Sequence, residues 1–343
     1  MTDQTEMNYG MHLQKQKERQ AAEEASENIT QFYNNWKEIC DRAYMYYKEF
    51  EENVNDFIDK PIVKSKEDFV RLLSDTIVLV ITANPIEEAV FLRWLNHTTG
   101  SILESYIIGS TAMVIGRIDE KTIIHIHPKR TGEEYTRVIL NEVTKVFKPT
   151  YIFMLGICYG LDMKRYKVGS VFASDSIITF RLNFRDEIGT NRTIYQAEDE
   201  YERSPDENLV NRIHFKLRYS DIYSILSDKN HPVIAKTRVG RFLSSNSLMS
   251  SKRVKTAIME QYSVRKPEPL GGEMEGAGIL KSYYVQEDGF KQWMIVKSIC
   301  DWGEKKNALS PDKDTNSRIK DSIQAFAMTN TCGAFEEIIT ILE

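Results

Sequence analysis

The sequence predicts an α/β domain with a mostly parallel central sheet flanked by helices, preceded by an α-helical N-terminal segment. Three observations carry this. TIVLVIT, residues 76–82, is a continuous run rich in β-branched residues, the pattern of a strand buried on both faces in a parallel sheet. From there to the C-terminus, strand-like runs alternate with helical ones, as in layered α/β folds. Before it, apolar or small residues recur in steps of four and three at Ile29, Tyr33, Trp36, Cys40, Ala43, Tyr47, Phe50, Val54 and Phe57. Such a heptad stripe describes one long amphipathic helix. The expected division is a helical region over 1–73 and the α/β domain over 74–343.

Pro61 marks the end of the long helix, whose aromatic seam packs on the chain's own domain, in a helical hairpin, or against a partner or second copy. Residues 1–25 are a frayed end or a further helix. Ser65 with Asp68, ahead of Phe69, Leu72 and Leu73, forms a capping-box start for a short helix. AMVIGRI and TIIHIH read as strands around a turn at Asp119 and Glu120. A helix over 133–147 then leads into YIFMLGI, another buried strand. VGSVFAS, a polar insertion over 183–208, a helix over 209–227, the strand-like VIAKTRVGRFLSS and a helix over 252–261 follow. GGEMEGAG reads as helix-forming, WMIVKS as the last strand, and 316–342 as the last helix.

The 343 residues contain 41% hydrophobic and 28% charged residues with a net charge of -5, an ordinary globular composition. Charges of both signs are interspersed, so no broad basic face for nucleic acid is expected. Cys40, Cys158, Cys300 and Cys332 form no C-x-x-C pair, which argues against a zinc site or a disulfide scaffold. The polar N-terminus and the absence of any long apolar run predict a cytoplasmic protein that does not cross a membrane. His125 and His127 fall on one strand face, where packing is the plainer reading than metal ligation. No metal or cofactor is expected.

Ligands of open α/β sheets gather beyond the carboxyl ends of the strands. That rule selects TANPIEEA after the first strand, GICYGL after YIFML, and CDWGEKKN after WMIVKS. GGEMEGAG adds a fourth stretch, because its small residues permit close approach to the sheet while Glu273 and Glu275 project from its start. Each alone is weak. An acid at a strand end is as often a helix cap as a catalyst, and a glycine-rich segment is more often a turn.

Together and in this order, the four stretches resemble the nucleoside phosphorylase/nucleosidase superfamily, closest to methylthioadenosine/S-adenosylhomocysteine nucleosidase-like domains. The resemblance covers roughly 76–342 and rests mostly on G-G-E-M-E-G-A-G followed about 20 residues later by V-K-S-I-C-D-W. It implies that Glu275 holds the ribose hydroxyls, that Met274 lines the sugar, and that Asp301 serves the purine. In the first-strand loop it implies Glu87 as the residue positioning the attacking water, with Glu88 as the competing choice. Gly156, Ile157, Cys158 and Tyr159 should border sugar and base, and LSSNSL, ending at Leu248, occupies the place of the base-binding segment. A homodimer or higher homo-oligomer is implied as well.

The chemistry is consistent on its own terms. Breaking an N-glycosidic bond builds positive charge on the sugar and negative charge on the base. A protonated Asp301 at N7 neutralises the base as general acid, Glu275 offsets the sugar's charge, and Glu87 takes a proton from water on the opposite face, a division resembling an inverting glycosidase. TANPIEEA lacks the glycine and arginine of a phosphate-binding loop, which favours hydrolysis of a purine nucleoside or nucleotide, with adenine the expected base. Lys129 and Arg130 in HPKRTGEE could instead hold phosphate or a substrate's 5′-phosphates, or form a solvated turn. Phosphorolysis is the alternative reaction. A non-catalytic nucleotide sensor signalling through the N-terminal helix is the alternative class. Trp302 reads equally as a lid over the base or as an anchor. Longer relatives with fused extra regions resemble effectors of bacterial anti-phage systems, and the heptad helix motivates that role here.

Overall fold

The computed structural model describes residues 23–128, 130–187, 192–227, 232–245, 252–262, 267–303, 309–310 and 312–343. The N-terminal segment is helical, with the described part of α1 over 23–35, α2 at Lys37–Glu52 and α3 at Val54–Phe57. The heptad stripe is therefore not one uninterrupted helix. Trp36 lies at a turn between α1 and α2, Asn53 separates α2 from α3, and the stripe positions Trp36 and Val54 are exposed. The rest of the stripe does what an apolar seam must: Ile29, Tyr33, Cys40, Ala43, Tyr47 and Phe50 are buried in the main core. α2 packs on α11 and α5 of the same chain, so its seam lies against its own domain.

β1 (Ile62–Val63) and α4 (Lys66–Val70) follow, with Ser65 accepting the Asp68 N–H as the expected cap. The remaining elements are β2 (Thr76–Ile81), α5 (Pro85–Thr99), β3 (Glu104–Ile108), β4 (Thr111–Ile118), β5 (Lys121–Ile126), α6 (Glu133–Val146), β6 (Tyr151–Gly160), β7 (Val171–Glu187) and β8 (Arg192–Arg203). Then come α7 (Glu207–Tyr219), β9 (Ile222–Tyr223), β10 (Ile234–Ala235), β11 (Thr237–Ser244), α8 (Lys252–Tyr262), β12 (Gly271–Glu273), α9 (Gly276–Leu280), α10 (Tyr283–Gln286), β13 (Trp293–Asp301) and α11 (Lys313–Ile339). A further sequence expectation needs correcting: GGEMEGAG is not a helix but a three-residue strand, β12, a turn, and the short α9. Much of the polar insertion forms the far end of the long antiparallel pair β7 and β8.

The central strands β5, β2, β6 and β13 run parallel, each to the next. β2, β6 and β13 are buried along nearly their whole length, as continuous apolar runs require. Antiparallel pairs flank this centre: β3 with β4, β4 with β5, and β12 with β6. β13 pairs with both β6 and β7, so β6, β12, β11, β7 and β13 close on themselves in a ring of hydrogen-bonded strands. The long α11, buried along most of its length, packs against β13, β6, α5 and α2. No helix among the described residues is long and apolar enough to cross a membrane.

Candidate active site

A cavity of about 190 Å³ lies beyond the carboxyl ends of β2, β6 and β13, lined in part by Asn84, Glu87, Thr131, Ile157, Cys158, Tyr159, Met274, Glu275 and Asp301. Residues distant in sequence meet here because three adjacent strands end side by side and the β12–α9 turn closes the fourth wall.

Glu87 is positioned by the start of α5. The Asn84 side chain accepts the N–H groups of Ile86 and Glu87, while Glu87 Oε2 accepts those of Ala83 (2.6 Å) and Asn84 (3.1 Å). This reciprocal capping box satisfies donors that a helix start leaves orphaned, and Pro85 at the first helical position costs no hydrogen bond. The other oxygen, Oε1, reaches across to β6 and accepts the Ile157 N–H at 2.8 Å. Gly156 permits this approach, because a Cβ there would lie 2.3 Å from Glu87 Oε1. Glu87 is thus a structural tie between two strand ends as well as a cavity wall. Burial raises its pKa above the usual carboxylate range, opposed by the positive charge of Lys297.

The turn after β12 carries two more acids. Glu273 Oε2 accepts the N–H groups of Glu275 (2.9 Å) and Gly276 (2.7 Å) and so holds the turn in place. Glu275 Oε2 accepts from Lys297 Nζ at 3.1 Å, and Lys297 lies 3.6 Å from Glu273 Oε2. Lys297 is fully buried in the middle of β13. Burial alone would lower its pKa, but the charges of Glu275, Glu87 and Glu273 hold it above the ordinary lysine value. Burial likewise pushes the Glu273 carboxyl up, against the pull of Lys297. One buried cation therefore serves three buried carboxyls, and Glu87 and Glu273 keep their protons to higher pH than free carboxyls.

Asp301 ends β13, opposite Tyr159 and after a bulge that follows Ile299. Its Oδ1 accepts the Gly303 N–H at 2.6 Å and its Oδ2 accepts the Cys300 S–H at 3.2 Å. The carboxylate is buried yet borders the cavity.

No family model matches the chain. A curated protein of Amphimedon queenslandica, described as a death domain-containing ATP nucleosidase, is 28% identical over 241 residues, covering 66% of this chain and 43% of that protein. The chain thus spans less than half the length of that relative. Methylthioadenosine/S-adenosylhomocysteine nucleosidase from Helicobacter pylori superposes with a TM-score of 0.56 at 14% identity, covering 78% of this chain and 99% of that one. The corresponding enzyme of Neisseria meningitidis gives 0.55 at 18%, with 78% and 100% covered. Futalosine hydrolase of H. pylori gives 0.55 at 14%, with 78% and 98% covered. The chain has the nucleoside phosphorylase/nucleosidase fold.

In this nucleosidase fold, seven of the residues expected from sequence line one cavity: Glu87, Ile157, Cys158, Tyr159, Met274, Glu275 and Asp301. Gly156 sits behind Glu87 and does not line it. Arg130 is exposed and does not line the cavity, although its neighbour Thr131 does, and it donates to Tyr135 Oη at 3.2 Å. Lys129 and Leu248 lie outside the described residues. Trp302 is an anchor, not a lid: it is fully buried and does not line the cavity. Lys297 was missed, although a charge inside an apolar strand signals a buried pair. Gln324 on α11 also reaches the cavity, and nothing in its local sequence marks it.

Glu88, the competing choice, does not line the cavity. Its carboxyl, about a third exposed, lies 3.9 Å from His127 Nδ1. Thr82 Oγ1 bridges His125 Nε2 at 2.9 Å and His127 Nδ1 at 3.4 Å. His125 packs against Phe91, and burial lowers its pKa to about 3. Burial raises Glu88 from 4.5 to about 7. The folded protein then binds more protons than the unfolded chain through that window, so this group's contribution to stability declines as pH rises from 4.5 to about 7. Glu88→Gln should raise the urea midpoint more at pH 7.5 than at pH 5 relative to wild type. An equal shift at both would rule this out.

Proposed function

We propose that the chain is an N-glycosidase that hydrolyses the bond between adenine and ribose of a nucleoside or nucleotide. The convergence of Asp301, Glu275 and Glu87 on one cavity supports this above all. Asp301 protonates the departing base, Glu275 with its Lys297 partner holds the ribose hydroxyls, and Met274 packs on the sugar. Glu87 faces the water side of the cavity. Its oxygens accept three backbone N–H groups, so it orients water through its remaining lone pairs more readily than it moves freely. The Amphimedon queenslandica relative is named for ATP, which supports including nucleoside triphosphates among the substrates.

Hydrolysis is favoured over phosphorolysis because, among the described residues, no lysine or arginine lines the cavity, and its acids would repel phosphate. We further propose that the protein works as a homo-oligomer and depletes adenine nucleotides in defence against phage. Incubation with ATP, AMP, adenosine and methylthioadenosine, with and without inorganic phosphate, tests the reading by chromatography. Free adenine with free ribose or its 5′-derivative is the expected result. Ribose 1-phosphate appearing only with phosphate would make it a phosphorylase. Adenine from methylthioadenosine alone would end the nucleotide-depletion idea, and no base release from any of them would favour the sensor.

A further inference from the structure

Three separate parts of the chain converge on the residue that follows Asp301. The Trp302 indole N–H donates to Asn28 Oδ1 on α1 at 3.1 Å. Its backbone carbonyl accepts from Lys255 Nζ on α8 at 2.8 Å, in a buried contact. Its ring lies so close to Gly160, one residue beyond Tyr159, that a Cβ there would be 2.5 Å from Cζ3. Gly303 then turns with φ +69° and returns its N–H to Asp301 Oδ1 at 2.6 Å. Trp302 itself is 0% accessible.

Of these contacts, the one from Asn28 comes from outside the α/β domain. α1 is itself held at this place, with Ala25 and Ile29 buried on either side of Asn28 and Phe32 against Phe326 of α11 at a ring separation of 5.5 Å. An indole wedged against a glycine has little freedom to turn, and the backbone of its neighbour moves with it. The position of the Asp301 carboxylate therefore depends on whether α1 is docked.

We propose that Asn28 is a positioning residue of the site, which through the Trp302 indole sets the placement of Asp301 and makes activity depend on the N-terminal helix. This rests on the reading of Asp301 as the group that protonates the base. A proton donor displaced by a fraction of an ångström still permits substrate to bind but transfers its proton poorly, so the effect falls on turnover.

The test compares full-length Asn28→Leu, Asn28→Asp, Trp302→Phe and the Asn28→Leu/Trp302→Phe double variant. Asn28→Leu and Trp302→Phe each remove one end of a single hydrogen bond, whereas Asn28→Asp keeps an acceptor. Asn28→Leu should lower kcat by about 10- to 100-fold with KM within about twofold and a melting temperature lower by no more than about a few degrees. Asn28→Asp should recover most of the loss, and the double variant should be no worse than the weaker single one, as expected for two groups acting through one contact. Multiplicative losses, a loss carried by KM, or a loss that follows melting temperature without rescue would overturn the proposal. If wild type releases no base from any nucleoside, the proposed reaction has failed and the positioning role falls with it, whereas an active wild type whose variants do not follow this pattern overturns the positioning role alone.

Discussion

Asp301→Asn is expected to reduce adenine release by about 10²- to 10⁴-fold, the contribution of a general acid, while nucleoside binding and fold survive. The asparagine side chain has the same shape and retains a carbonyl oxygen to accept the Gly303 N–H that Asp301 Oδ1 accepts now. What it lacks is a transferable proton. A leaving purine carries negative charge that only protonation can neutralise, so the loss belongs to kcat and not to affinity. Adenine release by chromatography and adenosine binding by calorimetry on the same preparation separate the two. Activity within tenfold of wild type would remove Asp301 from the reaction, and parallel loss of binding would make it a structural group.

Lys297→Met should destabilise the protein by ~3–5 kcal/mol, the cost of stripping the partner from buried charge. The magnitude follows from the arrangement, since Glu275 and Glu273 lie 3.1 and 3.6 Å from the one ammonium and Glu87 is coupled to it as well. Methionine fills the space but leaves these acids uncompensated. The loss should shrink as pH falls towards 5, where protonation removes the uncompensated charge. A second change, Glu275→Gln, should recover part of it, because the two residues share one interaction. Urea denaturation across pH reads both effects. A loss under 1 kcal/mol, or one independent of pH, would mean that water or relaxation already screens the cluster.

How much of this was legible in sequence depended on whether local composition decided the structure. β2, β6 and β13 were readable because strands buried on both faces must be apolar throughout, and the acids at their ends followed from topology. Asp301, Glu275 and Glu87 came from motif order. β12 was not readable: three residues containing two glycines have no strand preference of their own and are ordered only by pairing between β6 and β11. The far half of β7 alternates Phe180, Leu182 and Phe184 with polar residues, a strand period that breaks off in the charged residues after it, where pairing with β8 carries the ribbon on. The break at Trp36 escaped because an apolar heptad position predicts an unbroken buried seam, whereas Trp36 sits at the turn, partly exposed, with its ring against Phe32 and Phe326. Asn28 carried no signal at all, being one polar residue in a polar helix whose partner is 274 residues away.

The closed ring of strands also orders how the molecule can come apart. β13 is hydrogen-bonded on both sides, to β6 and β7, and so cannot fray from an edge. Its amide protons should exchange with solvent only when the whole domain unfolds. The Glu275 corner is held by a three-residue strand and the five-residue α9, and its amides should exchange through smaller openings. Exchange measured by mass spectrometry would then find the sugar-side wall breathing while the strand that carries the acid remains shut.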